Sequence, residues 1–218
     1  MILRQRLRAV MRPDLHANKG LYRVTSLYFD NIYRSAYFDK TNGTLNRKKF
    51  RIRVYDLGKD IINLEEKVKN DNVGYKKSSR LTLDEYGEIM SGNFGFLGEE
   101  RFAEGAGGDF YASSSAAMLS PAVIVEYIRE PYVCAAGNVR ITFDMKIAAC
   151  TNGLDLFDEN NVYENVMPDN DIVLEVKYDS FIPEYILQML TGISTAQESV
   201  SKFILCSDKL LNRTPEAQ

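Results

Sequence analysis

Hydrophobic and polar residues alternate along several short segments of this chain. The pattern is clearest over residues 48–55 (KKFRIRVY), where apolar and charged side chains occupy alternate positions. It recurs over 64–69, 125–129, 139–146 and 173–177. Because side chains in a β-strand have a period of two, each segment predicts a strand with one apolar face and one polar face.

The polar faces of these predicted strands carry mostly positive charge. Their cations are Arg51, Arg53, Lys67, Lys69, Arg129, Arg140, Lys146 and Lys177, and their anions are Glu65, Asp144 and Glu175. The whole chain has a net charge of −3. Lys and Arg on a solvated sheet face would also alternate with apolar residues. The excess of cations in an acidic chain instead favours a sheet that binds a polyanion.

Helical patterns occur at both ends of the chain and between the strands. Helices are predicted over residues 2–11, 183–191 and 197–211. Thr82 and Glu85 form a capping-box pattern at the start of a helix that extends to about Met90. Residues 94–120 are weakly patterned and are compatible with a helix or a mobile connection. With no internal repeat and no linker, the sequence predicts one α+β domain over residues 1–218, dominated by antiparallel sheet.

The composition argues against several classes of function. His16 is the only histidine, so Ser-His-Asp or Cys-His hydrolysis and a histidine-rich metal site are not expected. Cys134, Cys150 and Cys206 are odd in number and form no CxxC pair, which indicates neither a disulfide framework nor a zinc site. The sequence has no membrane-length apolar segment and no signal peptide, so we expect a cytoplasmic protein. The acidic net charge also argues against general nucleic-acid binding.

A cationic sheet face can line the inside of a barrel. In a barrel wide enough to hold a ligand, the polar face turns inward and helices cover the apolar outside. Converging cations must then be neutralised by a bound anion, and phosphate chains suit both Arg forks and Lys point charges. Without a histidine cluster, any metal would be held by carboxylates and substrate oxygens.

Eight short motifs occur in an order that is typical of one family. They lie at residues 26–30 (SLYFD), 49–55 (KFRIRVY), 64–67 (LEEK), 75–78 (YKKS), 126–130 (EYIRE), 137–144 (GNVRITFD), 173–179 (VLEVKYD) and 201–203 (SKF). The series resembles the VTC domain, the polyphosphate polymerase domain of the vacuolar transporter chaperone family. VTC domains belong to the CYTH-like, or triphosphate tunnel metalloenzyme, superfamily. The resemblance covers roughly residues 3–206 and is closest to the bacterial stand-alone form.

The resemblance implies an eight-stranded antiparallel β-barrel tunnel, flanked by helices and threaded by a phosphate chain. Tunnel enzymes of this superfamily begin with a strand that carries Glu or Arg and a Lys, before the first helix. This sequence begins within that helix, so we expect seven of the eight strands, with the first one missing. A missing strand would leave open barrel edges through which the chain could self-associate.

The resemblance also implies roles for particular residues. A catalytic role in phosphate handling is assigned to Arg51, Arg53, Lys67, Arg129 and Arg140. Substrate contacts are assigned to Lys69, Lys76, Tyr127, Lys177, Ser201 and Lys202, with Lys69 placed by its strand face. Glu175 matches the carboxylate that binds a divalent metal in this family, Mn²⁺ or Mg²⁺.

Three functions remain open on the sequence alone. The first is a polymerase that transfers the γ-phosphate of ATP onto a polyphosphate chain. The second is a tripolyphosphatase or nucleoside triphosphatase, in which water attacks instead, and the third is an inert polyphosphate-binding module. Hydrolytic relatives usually have more tunnel glutamates than the Glu65, Asp144 and Glu175 available here, which favours the polymerase. The expected partners are polyphosphate or triphosphate and ATP, with no nucleic acid and no membrane segment.

Overall fold

The chain forms an α+β fold in which helices cover both faces of one antiparallel sheet. The structure is a computed structural model that describes residues 2–14, 20–71, 73–192 and 196–213, so His16 lies outside the described residues. The strands are β1 (Arg12–Pro13), β2 (Tyr22–Asp30), β3 (Asn46–Tyr55), β4 (Ile62–Asn70), β5 (Val73–Leu81), β6 (Ser120–Cys134), β7 (Val139–Cys150), β8 (Tyr163–Asn165) and β9 (Ile172–Lys177). The helices are α1 (Ile2–Val10), α2 (Ser35–Thr41), α3 (Leu83–Met90), α4 (Ala106–Ala117), α5 (Glu184–Leu190) and α6 (Lys202–Leu211).

The sheet has the order β5-β4-β3-β2-β6-β7, and three further strands attach to its long members. Strand β1 pairs with the far end of β6, while β8 and β9 pair with opposite ends of β7. In the part of the chain that the structure describes, no pairing joins β5 to β8 or β9, so the sheet is not closed. Nine strands are present in that part: seven have six or more residues, the number expected, and the short β1 and β8 add to the ends of longer strands.

The apolar face of β3 lies in the largest core of the protein. Phe50, Ile52 and Val54 are buried together with Leu64 of β4, under α3 and α4. Phe110 of α4 packs edge-on against the ring of Phe50, with ring centroids 5.3 Å apart. The alternation in the sequence therefore has the predicted physical cause, since the apolar side chains of the strand are the ones removed from water.

Helix α3 begins at the predicted capping box. The Thr82 side chain accepts a hydrogen bond from the backbone N–H of Glu85, and the Glu85 carboxylate accepts one from the N–H of Thr82. Helix α4 resolves the weakly patterned region, where residues 106–117 are helical. No helix in the described part of the chain is long and apolar enough to span a membrane.

The opposite face of the sheet is covered partly by α6. Phe203 and Cys206 of this helix are buried against Tyr28, Val123 and Val125. The helix starts at Lys202, five residues later than predicted, and residues 196–201 before it have no regular secondary structure. This packing places the first turn of α6 directly over the polar face of the sheet.

Candidate functional site

A cavity of about 390 Å³ lies between the sheet and the start of α6. Strands β4 and β9, which are far apart in the order of the sheet, both line it, so the sheet curves around the cavity. Its lining includes ten cations: Lys40, Arg47, Lys49, Arg51, Arg53, Lys67, Lys69, Arg129, Lys177 and Lys202. Glu175 is the single carboxylate among the described lining residues.

Strand pairing explains how so many cations meet. The cations of β3 occupy every second position of one strand and therefore point to one face: Arg47, Lys49, Arg51 and Arg53. The β3–β4 register places cations directly opposite each other at its outer end, pairing Arg47 with Lys69 and Lys49 with Lys67. Further in, Arg51 is opposite Glu65. The positive charge at the inner end of the β3–β4 pair is thus balanced by a carboxylate, whereas the positive charge at its outer end is not.

Glu65 of β4 holds two cations of β3 and one of β5 in place. Arg51 Nε donates a hydrogen bond to Glu65 Oε2 at 2.7 Å, and Lys76 Nζ donates to Oε1 at 3.0 Å. An Arg53 guanidinium nitrogen lies 3.7 Å from Glu65 Oε2. Burial alone would raise the pKa of Glu65, but the two guanidiniums outweigh it and lower the pKa to about 2. Glu65 therefore stays ionised beneath the cavity.

Tyr28 supports the same arginine from β2. Its hydroxyl accepts a hydrogen bond from Arg51 Nη1 at 2.9 Å. Burial opposes ionisation of Tyr28, but the neighbouring guanidiniums of Arg51 and Arg53 prevail, so its pKa is lowered. Arg51 is consequently held by the carboxylate of Glu65 and the hydroxyl of Tyr28 where it lines the cavity.

Asp144 performs the same task on the other side of the cavity. Arg129 donates two hydrogen bonds of 2.7 Å, from Nε to Oδ1 and from Nη2 to Oδ2 of Asp144. Lys202 Nζ lies 2.7 Å from Oδ2 of the same fully buried carboxylate, which ties α6 to the sheet. Burial would raise the pKa of Asp144, but Arg129 and Lys202 lower it overall. The side-chain orientation of Arg129 is thereby set before any ligand binds.

Glu175 is the carboxylate that a metal could share with a ligand. Its oxygens lie 3.1 Å from Lys177 Nζ and 3.4 Å from Arg129 Nη2, and its side chain is 34% exposed. Burial opposes its ionised form, but Lys177 and Arg129 outweigh burial and lower its pKa. The described residues contain no cluster of three or more His, Cys, Asp or Glu that could hold a metal alone. This donor set fits a hard cation bound by one carboxylate and by phosphate oxygens.

Comparison with known proteins identifies the family. The model of the VTC domain matches residues 1–211. This chain belongs to the VTC domain family. No curated protein sequence matches the VTC domain described here at a significant level.

Two solved structures share the fold of this VTC domain. One is the putative adenylyl cyclase HpAC1 from Hippeastrum, described as having a dominant triphosphatase activity. It is 11% identical, with a TM-score of 0.54, and the match covers 95% of this chain and 89% of that protein. The other is a putative adenylate cyclase from Bacillus halodurans, 12% identical with a TM-score of 0.50, where the match covers 91% of this chain and 88% of that one. Together with the family, they identify the architecture as the triphosphate tunnel fold.

The cavity of the VTC domain brings together ten of the twelve residues that were predicted from the sequence as catalytic, substrate-binding or metal-binding. They are Arg51, Arg53, Lys67, Lys69, Tyr127, Arg129, Glu175, Lys177, Ser201 and Lys202. The two others lie outside the lining. Lys76 reaches Glu65 from β5 with its side chain 53% exposed, and so lies beside the cavity. Arg140 is on the predicted face, but its Nη2 donates to Asp14 and to the Tyr22 hydroxyl, each at 2.9 Å.

Lys146 does not lie on the face that the alternation predicts. This residue is exposed and lies outside the cavity lining, although its sequence position suggested the polar face. It adopts a left-handed backbone conformation (φ 51°), and the β6–β7 register shifts at the same place. A bulge of this kind changes which side chains share a face, so the period of two does not continue through it.

Several lining residues were not nominated from the sequence. Arg47 and Lys49 continue the alternation of β3 toward its start. Lys49 lies within the segment 48–55, and a strand boundary at residue 47 would have included Arg47 as well. Lys40 comes from α2, which has no buried residue and hence no clear apolar pattern. Its Nζ donates to Ser199 Oγ at 2.7 Å, a contact between distant parts of the chain that no local pattern indicates.

Proposed function

We propose that this VTC domain binds a phosphate chain in its cavity and extends that chain with the γ-phosphate of ATP. The observation that carries this proposal is the set of ten lining cations, with one lining carboxylate among the described residues. A phosphate chain is linear and highly charged, and it can accept hydrogen bonds from Arg and Lys along its whole length. Because the whole chain has a net charge of −3, the cations in the cavity are a local concentration of positive charge and not a property of the whole protein surface.

The fixed arginines are suited to phosphoryl transfer. In the proposed reaction, an oxygen at the end of the chain attacks the γ-phosphorus of ATP, and the bond from that phosphorus to the ADP oxygen breaks. Charge develops on the transferring oxygens, and preorganised cations stabilise it without reorganising. Arg51 and Arg129 are held by the buried carboxylates Glu65 and Asp144, which supports this role.

Glu175 is the residue that would hold a divalent metal, Mg²⁺ or Mn²⁺. Such a cation, when bound, neutralises phosphate charge and helps to orient the reacting groups. Lys177 contacts Glu175 and lies on the same strand, so its ammonium would remain beside the bound phosphates. No histidine or cysteine is required as a covalent nucleophile in this scheme.

Hydrolysis is the alternative reaction on this scaffold. The triphosphatase activity described for HpAC1 makes it a reasonable second candidate, in which water replaces the chain end. A hydrolase needs a group that positions and activates water, yet Glu65 and Asp144 are both engaged by cations. This engagement favours transfer to a chain over transfer to water. An inert binding module is the third candidate.

One assay separates these functions. The protein is incubated with Mn²⁺, γ-labelled ATP and a tripolyphosphate primer, and the labelled products are resolved by length. Labelled chains longer than the primer are expected. Labelled orthophosphate alone would indicate a triphosphatase, and binding of tripolyphosphate without either product would indicate a binding module. Lys146→Ala, which removes a cation outside the cavity, is the matched control for variants of the lining.

A further inference from the structure

Lys49 differs from the fixed arginines because no carboxylate holds it. In the described part of the chain, its ammonium has no carboxylate within ion-pairing distance, and it lies 4.7 Å from the ring centroid of Phe203 on α6. Directly opposite in the β3–β4 register is another lysine, Lys67. The side chain of Lys49 is half-buried between the sheet and α6.

Positive groups face Lys49 from the elements packed around it. They are Lys40 of α2, Arg47 of β3 and Lys67 of β4. The first turn of α6 adds Lys202, which is already paired with Asp144. The nearby carboxylate that opposes them is Asp30 at the end of β2, and it already accepts hydrogen bonds from the backbone N–H groups of residues 31, 36 and 37. The charges that surround Lys49 are therefore unbalanced.

This environment disfavours the ammonium form of Lys49. Burial and then the neighbouring Lys40, Arg47 and Lys67 lower the pKa of Lys49 to about 7. The pKa of Lys67 is lowered too, by burial first and then by Lys177 and Arg51. Glu175 counteracts that lowering at Lys67, whereas no lining carboxylate does so at Lys49. The charge of Lys49 therefore depends on whether an anion occupies the cavity.

We propose that Lys49 is a substrate-binding residue that takes up a proton when a phosphate chain enters the cavity. The inference rests on the proposed function, since it requires phosphate oxygens beside the Lys49 amine. Those oxygens supply the anionic partner that the empty cavity lacks, which favours the ammonium form. The proton comes from solvent and adds to the Nζ lone pair, and no other bond forms or breaks. Binding and protonation are then linked, so the affinity for the chain falls as the pH rises above neutrality.

Calorimetry in two buffers with different ionisation enthalpies measures this proton directly. Tripolyphosphate is titrated into the full chain and into Lys49→Arg at pH 8, without metal. The arginine stays charged throughout, so this variant retains the cation but not its titration. The parent should take up about one proton more per bound chain than Lys49→Arg. Protons exchanged by the ligand itself cancel in this difference.

Two further measurements make the result decisive. At pH 6 Lys49 is already protonated, so the difference between the parent and Lys49→Arg should disappear. The matched control Lys67→Arg makes the same substitution on the opposite residue and should keep the extra uptake at pH 8. If the arginine of Lys49→Arg does not fit at this position, Lys49→Gln, which also cannot take up a proton, gives the same comparison of proton uptake with the parent.

The outcomes separate this inference from the proposed function. If tripolyphosphate binds the parent and both Lys49 variants with equal proton uptake at pH 8, the inference is overturned while phosphate binding stands. If tripolyphosphate binds none of these proteins, the proposed function is overturned along with it. A difference at pH 8 that vanishes at pH 6 supports both.

Discussion

Arg129 and Asp144 lie opposite each other in the β6–β7 pair and are joined by two hydrogen bonds of 2.7 Å. Lys202 Nζ contacts the same carboxylate, so one buried anion organises two cations from different elements. Glu65 does the same for Arg51 and Lys76 on the other side of the cavity. The inner cations are therefore fixed before a ligand binds. By contrast, the paired Lys49 and Lys67 form no ion pair with a carboxylate among the described residues.

Replacing Arg53 tests whether the fixed cations bind phosphate. Arg53 lines the cavity and is held by Ser26 Oγ at 3.2 Å. We expect Arg53→Ala to weaken binding of tripolyphosphate by about 1.5–3 kcal/mol, because a charge-assisted hydrogen bond is lost. Isothermal titration calorimetry measures the change. Lys146→Ala should bind like the parent, and an equal affinity for Arg53→Ala would exclude Arg53 from the binding surface.

Glu175→Gln tests the metal ligand. The amide removes a negative charge from a cationic cavity, so affinity for tripolyphosphate should be unchanged or higher. Turnover that depends on Mn²⁺ should be abolished, because the amide is a poor substitute for a carboxylate at a hard cation. Product formation and binding are measured on the same preparation. Glu164→Gln, which alters a carboxylate paired with Lys209 and Arg213 outside the cavity lining, should retain full turnover. Normal Mn²⁺ dependence in Glu175→Gln would eliminate this residue as the ligand.

Arg140 provides a test of the structure against the resemblance. The motif position assigns it to catalysis, whereas the structure pairs it with Asp14 and Tyr22 outside the cavity lining. We expect Arg140→Ala to weaken tripolyphosphate binding by less than about 0.5 kcal/mol, because Arg140 lies outside the cavity lining and Asp14 already neutralises its charge. A loss as large as that of Arg53→Ala would mean that Arg140 leaves Asp14 and turns toward the ligand.

The local pattern of the sequence could predict the face of a residue but not always its partners. Phe50, Ile52 and Val54 are buried in the core, so the cations between them must point the other way. The same rule gives the correct face for Arg140, yet its contact with Asp14 spans 126 residues and has no local signal.

The alternation of residues in the sequence does not predict features that depend on tertiary packing or on β-bulges. Lys40 reaches the cavity because α2 lies beside the segment before α6, and α2 has no buried residue to mark it. Lys146 leaves the predicted face because its backbone is left-handed where the β6–β7 register shifts. The motifs of the family, in contrast, point to Ser201 and Lys202, which line the cavity although no strand pattern includes them.

The pKa of Lys49 predicts a stability that depends on pH. Its pKa is about 7 in the folded protein and near 10.5 when the chain is unfolded, so the unfolded state binds more protons between these values. Stability should therefore rise with pH over this window, and below pH 7 the protein carries the full cost of the buried charge. We expect Lys49→Met to be more stable than the parent by ~1–3 kcal/mol at pH 6, since partial solvation reduces the cost. Urea denaturation at pH 6 and pH 9 measures it, and a gain that did not shrink at pH 9 would contradict this account.

The ionised Glu65 carboxylate should stabilise the fold, and this stabilisation should be lost at acidic pH. Its pKa is lowered from 4.5 to about 2 in the folded protein, so it contributes stability above pH 4.5 and loses that contribution as the pH falls toward 2. Glu65→Gln leaves Arg51, Arg53 and Lys76 without their shared carboxylate, and we expect it to reduce the free energy of unfolding by about 2–4 kcal/mol at pH 7. The deficit should narrow steadily between pH 4.5 and pH 3, as measured by urea denaturation, whereas Glu164→Gln should show a small deficit throughout. Tripolyphosphate supplies the missing anion, so it should raise the melting temperature of Glu65→Gln more than that of the parent. If the variant were as stable as the parent at pH 7, Glu65 would not be the residue that holds the inner cations in place.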